Sequence, residues 1–434
     1  MKKLPIALVM SALLGGVPFL TVQSVSAAEE SAENSQEEAS AGPRVRRTMT
    51  LREIVFEKLE EAQQAADAGN FDEALQTLER LEKRKRNSYE RAMTHNMYAY
   101  VYSTQENYAA AIPEYSKVIE IDNAPDSLKQ TTRYTLAKLY MLQERYAESL
   151  ATINEWMSHS DKVNADAYMF RAQVQYQQEK YELAGDDIAT AISMREEAGS
   201  RVTESWLLLQ RAVMFQLKDY KGLAITLEKL VATYSKSEYW MQLAAVYNEL
   251  GREDEELATL ETAYDQKLFS KESEYLNFAQ ALLSREIPYK AAHVLEDGME
   301  ADIVDRSARN LSLLGDAWML AKEYDNAIVV MTQAADESGE GRDYFKLAQI
   351  YTERQEWSKS LEFSNKALNA GDLKAPYQAL IIKGLAQYNL DELESASITF
   401  FKAASYPAAE KVAHQWQEYI ESEQQRREYI ANAG

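Results

Sequence analysis

Leu311–Ala334, LSLLGDAWMLAKEYDNAIVVMTQA, is the stretch whose reading decides the fold. Leu314 and Gly315 are adjacent, Trp318 follows three residues later, Tyr324 six further on, and then come Ala327, Met331 and Ala334. This spacing predicts two amphipathic helices joined by a tight turn, with a small residue in each helix where the backbones approach most closely. A bulky side chain on one helix needs a hole on its neighbour, and Gly315 and Ala327 supply such holes. One antiparallel hairpin of this kind cannot bury its own apolar face. It needs copies of itself stacked on either side.

The copies cover nearly the whole chain. With the second-helix alanine placed at position 20 of each repeat, that position falls at Ala74, Ala111, Ser149, Ala184, Leu223, Glu256, Ala291, Ala327, Ser360 and Ala396. Ten repeats with a period of about 36 result. A small residue recurs at position 8, as Ala62, Ala99, Ala137, Ala172, Ala244, Ala279, Gly315, Ala348 and Gly384. An aromatic closes the turn at position 17 in Phe71, Tyr108, Tyr146, Tyr181, Tyr220, Tyr324 and Trp357. The pattern resembles the tetratricopeptide repeat, whose helix pairs recur every 34 residues or so. The resemblance implies an all-α, right-handed superhelical solenoid of about ten hairpins. Residues 49–407 are expected to form the array and residues 408–434 a capping helix with Val412, Trp416, Tyr419 and Ile420 on one face.

Composition agrees with that architecture. A chain of 434 residues has room for two or three globular domains, but these repeats predict one elongated solenoid in which each repeat touches only its neighbours. Apolar residues make up 46%, ample for a continuous core. Proline falls where helices tolerate it: Pro125 and Pro376 between repeats, Pro288 before a second helix, Pro113 in the first turn or so of one, and Pro407 after one.

The chain opens with the features of an export signal. Lys2 and Lys3 precede an apolar stretch, Leu4–Val22, that is broken by Gly15, Gly16 and Pro18, and Val25-Ser26-Ala27 offers a small-residue cleavage site. Cleavage near Ala27 and a periplasmic destination are expected, the alternative being retention as an anchor. Cysteine is absent, which excludes disulfides, thiol nucleophiles and attachment of lipid at a processed N-terminal cysteine. Residues 28–48 read as a disordered acidic leader, because the five Glu of Ala28–Gly42 come without a branched apolar or aromatic residue. Arg44, Arg46 and Arg47 then reverse the charge, and Thr50 with Glu53 fits a capping box for the first helix.

Net charge is −22 and falls to −24 once the two signal lysines are removed. Such a surface repels nucleic acid and anionic lipid over about 8 Å at physiological salt, so neither nucleic-acid binding nor stable membrane insertion of the mature chain is expected. The local exception is Arg80, Lys83, Arg84, Lys85 and Arg86, five cations at the end of a helix, where they suit the exposed carbonyls or an acidic partner.

Residues for catalysis are not grouped. His95, His159, His293 and His414 are scattered without metal-ligand spacing, and Gly339-Glu340-Gly341 is no phosphate loop because no strand precedes it and no Lys-Ser/Thr follows. Asn310-Leu311-Ser312 matches a glycosylation sequon, but it lies at the start of a predicted helix. No cofactor, no metal and no enzymatic activity are expected.

What remains is the groove. In such a solenoid the first helices line the concave side, and positions 2, 5, 9 and 12 of each repeat point into it. These include Tyr100 in repeat two, Tyr134, Lys138 and Met141 in repeat three, and Met169 and Tyr176 in repeat four. Phe215, Met241 and Phe345 continue the row in repeats five, six and nine. Tyr and Met lining suits an extended peptide, the aromatics giving area and methionine adaptable packing. The Lys/Asn/Arg cluster with which chaperone-docking members of the family hold a terminal carboxylate is missing from the sequence pattern.

As a whole, and most clearly over Thr50–Asp122, the chain is similar to the periplasmic tetratricopeptide proteins encoded beside TonB–ExbB–ExbD systems in gammaproteobacteria. The shared features are the signal peptide, the Arg-Thr-Met-Thr-Leu-Arg-Glu lead-in at Arg47–Glu53, and an array that runs almost to the C-terminus. The resemblance implies a non-catalytic accessory role in TonB-dependent uptake of iron-siderophore or similar ligands, by contact with TonB, ExbB or ExbD. The alternative is an adaptor for envelope assembly or secretion. Repeats five and six depart from the pattern, with Arg211 at a small-residue position and Leu223 and Glu256 at position 20, so looser packing and a bend between Thr203 and Ala263 are expected.

Overall fold

The computed structural model describes residues 50–433. The expected signal segment, the acidic leader and the Arg44–Arg47 cluster lie outside the described residues. Among the described residues there are 21 helices and no strand. Glu53–Asp67 pairs with Phe71–Glu82 as hairpin 1, Ser88–Thr104 with Tyr108–Glu120 as hairpin 2, and Asp126–Leu142 with Tyr146–Ser158 as hairpin 3. Hairpin 4 is Ala165–Gln177 with Tyr181–Glu197, and hairpin 5 is Glu204–Gln216 with Tyr220–Tyr234. Hairpin 6 is Ser237–Glu249 with Glu253–Asp265, hairpin 7 Glu272–Ser284 with Pro288–Glu300, and hairpin 8 Ala308–Leu320 with Tyr324–Ser338. Gly341–Glu353 with Trp357–Ala370 and Pro376–Asn389 with Leu393–Ala404 complete hairpins 9 and 10, and Glu410–Ala433 follows as a final helix. The described residues are thus all-α, ten hairpins in succession followed by one helix.

The chain divides into two compact units between Leu230 and Val231. The division falls inside 203–263, the stretch where the repeat pattern departs from its norm. Leu223 takes position 20 of hairpin 5 and is 4% exposed. Glu256, in the same position of hairpin 6, stays half-exposed and accepts a 2.9 Å hydrogen bond from the Asn248 side-chain amide. A carboxylate at the point of helix contact keeps its water and a polar partner, because burying it unpaired would be costly.

All ten turns share one geometry, and it is invisible in the repeat consensus. Position 15 has φ between 56° and 79° in every hairpin, at Gly69, Glu106, Glu144, Glu179, Lys218, Gly251, Glu286, Lys322, Gln355 and Asp391. The next residue's N–H reaches back to the carbonyl five residues earlier, as from Asn70 to Ala65 at 2.8 Å and from Glu323 to Trp318 at 2.9 Å. This is the Schellman closure, which satisfies carbonyls orphaned at the helix end. The residue that donates this bond then caps the second helix with its own carbonyl, as Glu323 O does for Ala327 N–H at 3.0 Å. Eight of the ten left-handed residues carry a side chain, each at a backbone cost of about 1–2 kcal/mol that packing of the hairpin offsets.

In hairpins 8 and 10 position 24 meets position 8. A methyl group on Gly315 would sit 2.6 Å from Met331, and one on Gly384 would sit 2.8 Å from the Phe400 ring. Where serine replaces alanine at position 20 its hydroxyl is satisfied in place: Ser149 Oγ donates to Ala137 O at 2.7 Å. Trp318 is 1% exposed and its indole N–H donates to Glu296 at 3.2 Å.

Three local expectations are corrected. The first helix starts at Glu53 with Arg52 as its N-cap and no side-chain cap, so Thr50 and Glu53 form no capping box. Arg52 is engaged elsewhere: its Nε and Nη2 each donate to the Glu90 carboxylate at 2.7 Å, and Nη2 also reaches Lys85 O at 2.6 Å. The capping box forms instead in hairpin 2, where Glu90 N–H donates to Asn87 Oδ1 at 2.8 Å and Asn87 N–H to Glu90 Oε2 at 2.9 Å. Pro113 is the sixth residue of its helix rather than a first-turn residue, and it is exposed, so the missing N–H faces the solvent side. The final helix turns Ala409, Ala413, Trp416 and Ile420 toward hairpin 10, while Val412 and Tyr419, assigned from periodicity to that same face, are 44% and 53% exposed.

The Glu90 contacts have a pH consequence. The hydrogen bond from Arg52, outweighing burial, holds this carboxyl down at about 2 against an ordinary value of 4.5. A depressed carboxyl contributes stability above its unfolded value and loses it as pH falls toward the folded one. Acid titration should therefore erode stability between pH 4.5 and about 2, and Glu90→Gln should be less stable at neutral pH with a shallower fall across that window. Denaturant melts at stepped pH measure this; parallel profiles for the two proteins would remove Glu90 as the cause.

Candidate functional site: the inner face of the hairpins

The first helices of hairpins 1 and 2, 4 and 5, and 9 and 10 pack against one another, whereas no consecutive second helices do so comparably among the described residues. At those three places the first helices lie on the inner side of the stack. Positions 2, 5, 9 and 12 lie on those helices, so the residues named for the groove occupy matching places in successive hairpins.

In the first unit the row is only partly available to a ligand. Met169 is 2% exposed and belongs to the interior of hairpin 4, so it offers no surface. Tyr134 is half-buried, its ring 4.8 Å from Trp156 and 5.9 Å edge-on to Phe170, which makes it a packing residue between hairpins 3 and 4. Burial pushes its phenol up to about 12. Lys138 lies over the Tyr134 ring with Nζ 4.6 Å from the centroid, and burial lowers its amine while Asp166 opposes that shift. Tyr100 is half-buried and its hydroxyl donates to Asp67. Met141 is half-buried, and Tyr176 leans edge-on against Tyr181 with centroids 5.5 Å apart. Phe215 is the most open of the set, at 48% exposure. What the inner side presents is thus Tyr100, Lys138, Met141, Tyr176 and Phe215, with Asp67 and Asp166 beside them.

In the second unit, Met241 packs against the large apolar cluster of hairpins 6–9 and Phe345 is half-exposed. A pocket of about 200 Å³ opens among the first helices of hairpins 7, 8 and 9. It gathers cations that the sequence scatters, Arg309, Arg342 and Lys346. Two of these are already engaged: Lys346 Nζ donates to Asp316 at 2.7 Å and to Ser312 Oγ at 2.8 Å, and Arg342 Nε donates to Asp343 at 3.2 Å. Burial alone would raise the Asp343 carboxyl, but donors on Arg342, Ser338 and Ser312 outweigh it and hold it below its ordinary range. At Asp316 burial wins over Lys346 and the carboxyl is raised. Spacing of about 30 residues hid this cluster, which needs three adjacent hairpins to assemble.

His95 does have a carboxylate partner, Glu114, 2.7 Å from its Nδ1, yet no group of His, Asp or Glu suited to a metal exists among the described residues. Asn310 is 4% exposed and its amide donates to Asp305 O at 2.9 Å, so this sequon asparagine is sealed into a helix start. Among the described residues no helix is long and apolar enough to cross a membrane. The basic run ends its helix as expected, and Arg86 Nη2 donates to Glu82 O at 3.3 Å, but Arg86 Nε and Nη1 are buried without a partner.

Comparison with known proteins agrees with this fold. Residues 59–127 and 134–199 match the Tetratricopeptide repeat family, under half of the chain. Over those residues the chain carries tetratricopeptide repeats, and the hairpins beyond residue 199 share the same turn geometry. Among solved structures, the MamA protein is 20% identical over 38% of this chain and 88% of its own, with a TM-score of 0.34. A tetratricopeptide repeat protein from Parabacteroides merdae is 17% identical over 58% and 93%, TM-score 0.34. YrrB, described as a TPR protein with an unusual peptide-binding site, is 13% identical over 45% and 99%, TM-score 0.38. With TM-scores below 0.5, these likenesses add nothing to the family match. No curated protein matches the sequence significantly.

Proposed function

We propose that this protein is a non-catalytic scaffold that holds an extended, cationic segment of a partner protein along the inner side of hairpins 2–5, as an accessory to TonB-dependent uptake. The observation that carries the binding reading is the half-open row of Tyr100, Lys138, Met141, Tyr176 and Phe215, which presents large apolar and aromatic surface where a closed core would bury it. Rings and thioether on successive first helices fit alternate side chains of an extended chain. A net charge of −22 favours approach of a basic partner. The uptake role and the periplasmic location rest on the sequence resemblance at Arg47–Glu53 and on the export signal.

A segment rich in Pro and Lys, as the resemblance implies for TonB-type proteins, is already extended and loses little chain entropy on docking. Tyr134 and Met169 are unsuitable for a test because Tyr134 packs hairpin 3 against Phe170 of hairpin 4 and Met169 is buried within hairpin 4. The triple variant Met141→Ser, Tyr176→Ser, Phe215→Ser should keep its helical circular dichroism and bind the periplasmic segment of TonB at least about tenfold more weakly, a loss of about 1.4 kcal/mol. Added salt should slow association more than it speeds dissociation. Unchanged affinity in the folded triple variant would place binding elsewhere. Failure of the wild type to capture any TonB-system component from a periplasmic extract would favour the envelope-assembly adaptor.

A further inference from the structure

The row of inner-face positions ends at Tyr388 in hairpin 10, and there the final helix closes over it. Tyr388, Gln415, Trp416 and Tyr419 line an open pocket of about 340 Å³. The three rings face one space: centroids are 5.4 Å apart for Tyr388–Trp416, 5.5 Å for Tyr388–Tyr419 and 5.8 Å for Trp416–Tyr419, with planes inclined at 54°, 57° and 88°. The back of Trp416 is fixed, since Phe400, itself fully buried, stacks on it at 5.5 Å with only 5° between the planes. Tyr419 is 53% exposed.

Polar tips rim these apolar walls. Among the described residues, the indole N–H of Trp416 and the amide of Gln415 make no hydrogen bond, whereas the indole of Trp318 donates to Glu296 and that of Trp240 to Ser235. Buried, partnerless donors would be costly, but these two border an open pocket and stand ready for a carbonyl. Nearby charge is mostly spent: Glu423 is clamped by Arg426 and Arg427, and Arg427 also pairs with Asp391. Glu418 and Glu421, on either side of Tyr419 in the helix, have no ion pair among the described residues and are exposed.

We propose that this pocket is a second, separate docking point, for a polyproline II segment of a partner protein that carries lysine or arginine beside its prolines. Such a segment has no internal hydrogen bonds, so its carbonyls are free to accept from Trp416 and Gln415 while its rings lie on the aromatic walls. A flanking cation meets the exposed carboxylate of Glu418, one turn from Gln415, whereas Glu421 accepts from Gln425 Nε2 at 3.3 Å. A lone organic cation fits less well, because Arg426 and Arg427 stand beside Glu423. The inference rests on the peptide-scaffold reading but uses different residues, in the other compact unit.

The full chain labelled with ¹⁵N-tryptophan gives one indole signal for each of its six Trp, and loss of one signal in Trp416→Phe assigns Trp416. Titration with an oligoproline peptide that ends in two lysines and is blocked at both termini should move the Trp416 signal saturably and leave the other five in place. Tyr419→Ala, or Gln415→Ala if the first variant loses helicity, should weaken that response at least tenfold. The Met141/Tyr176/Phe215 triple variant should respond as the wild type does, which separates this site from the hairpin 2–5 groove. Absence of a saturable Trp416 shift would overturn the proposal. So would an equal shift with a Gly/Ser peptide ending in the same two lysines, or with maltohexaose, which would mark the pocket as a charge or carbohydrate site.

Discussion

Removal of residues 408–434 should make the protein aggregate on mild heating. The final helix covers hairpin 10 with Ala409, Ala413, Trp416 and Ile420, and beneath it lie Leu393, Ala396, Phe400 and Ala403, all buried. Phe400 and Ile420 are both 0% exposed, and burying a side chain of that size contributes about 1.5–3 kcal/mol. An end hairpin stripped of its cap presents an apolar face to other copies, and repeat proteins keep polar-backed ends for this reason. Light scattering during a thermal ramp, beside the intact chain, reads the effect. A truncated protein that stays monodisperse and melts at the same midpoint would show that hairpin 10 needs no cover.

Ala327→Leu should destabilise the second unit by about 1–3 kcal/mol, while Glu323→Leu, four residues earlier, should be nearly neutral. Ala327 is 0% exposed at the point where the two helices of hairpin 8 touch, with Met331 one turn further on already filling the hole over Gly315. Three extra carbon atoms there must displace neighbours at close-packed density. Glu323 is exposed, and it contributes its carbonyl, not its side chain, to the helix start. Its replacement leaves that backbone bond in place. Urea melts of both variants decide the matter, and equal midpoints would mean that the repeats have been aligned in the wrong phase.

Much of the architecture was legible in the order of residues because it rests on contacts that recur at a fixed spacing. Large-against-small pairing of positions 8, 20 and 24 repeats hairpin by hairpin, so period and phase could be read from Ala74 to Ala396 without any coordinates. The departures at Arg211, Leu223 and Glu256 lie around the division at Leu230. The left-handed turn residue escaped notice because only Gly69 and Gly251 advertise it. A signal was there: position 15 is polar or glycine in every repeat and never β-branched, as a residue with positive φ should be.

Sequence by itself determined the helices, their pairing and the side of each hairpin that faces inward, since all three follow from local periodicity and from the size of side chains within one repeat. Which inner-side residues remain open was decided only by tertiary packing. Tyr134 and Met169 hold position 5 on the same helices where Met141 and Tyr176 hold position 12, yet the Tyr134 ring packs on Trp156 and Phe170 and Met169 is 2% exposed. The two pockets likewise needed neighbours, because Arg309, Arg342 and Lys346 come from successive hairpins and Tyr388 meets Trp416 and Tyr419 only when the last helix folds across hairpin 10. Periodicity reports the face a residue occupies on its own helix; exposure on that face depends on what the next helix brings against it.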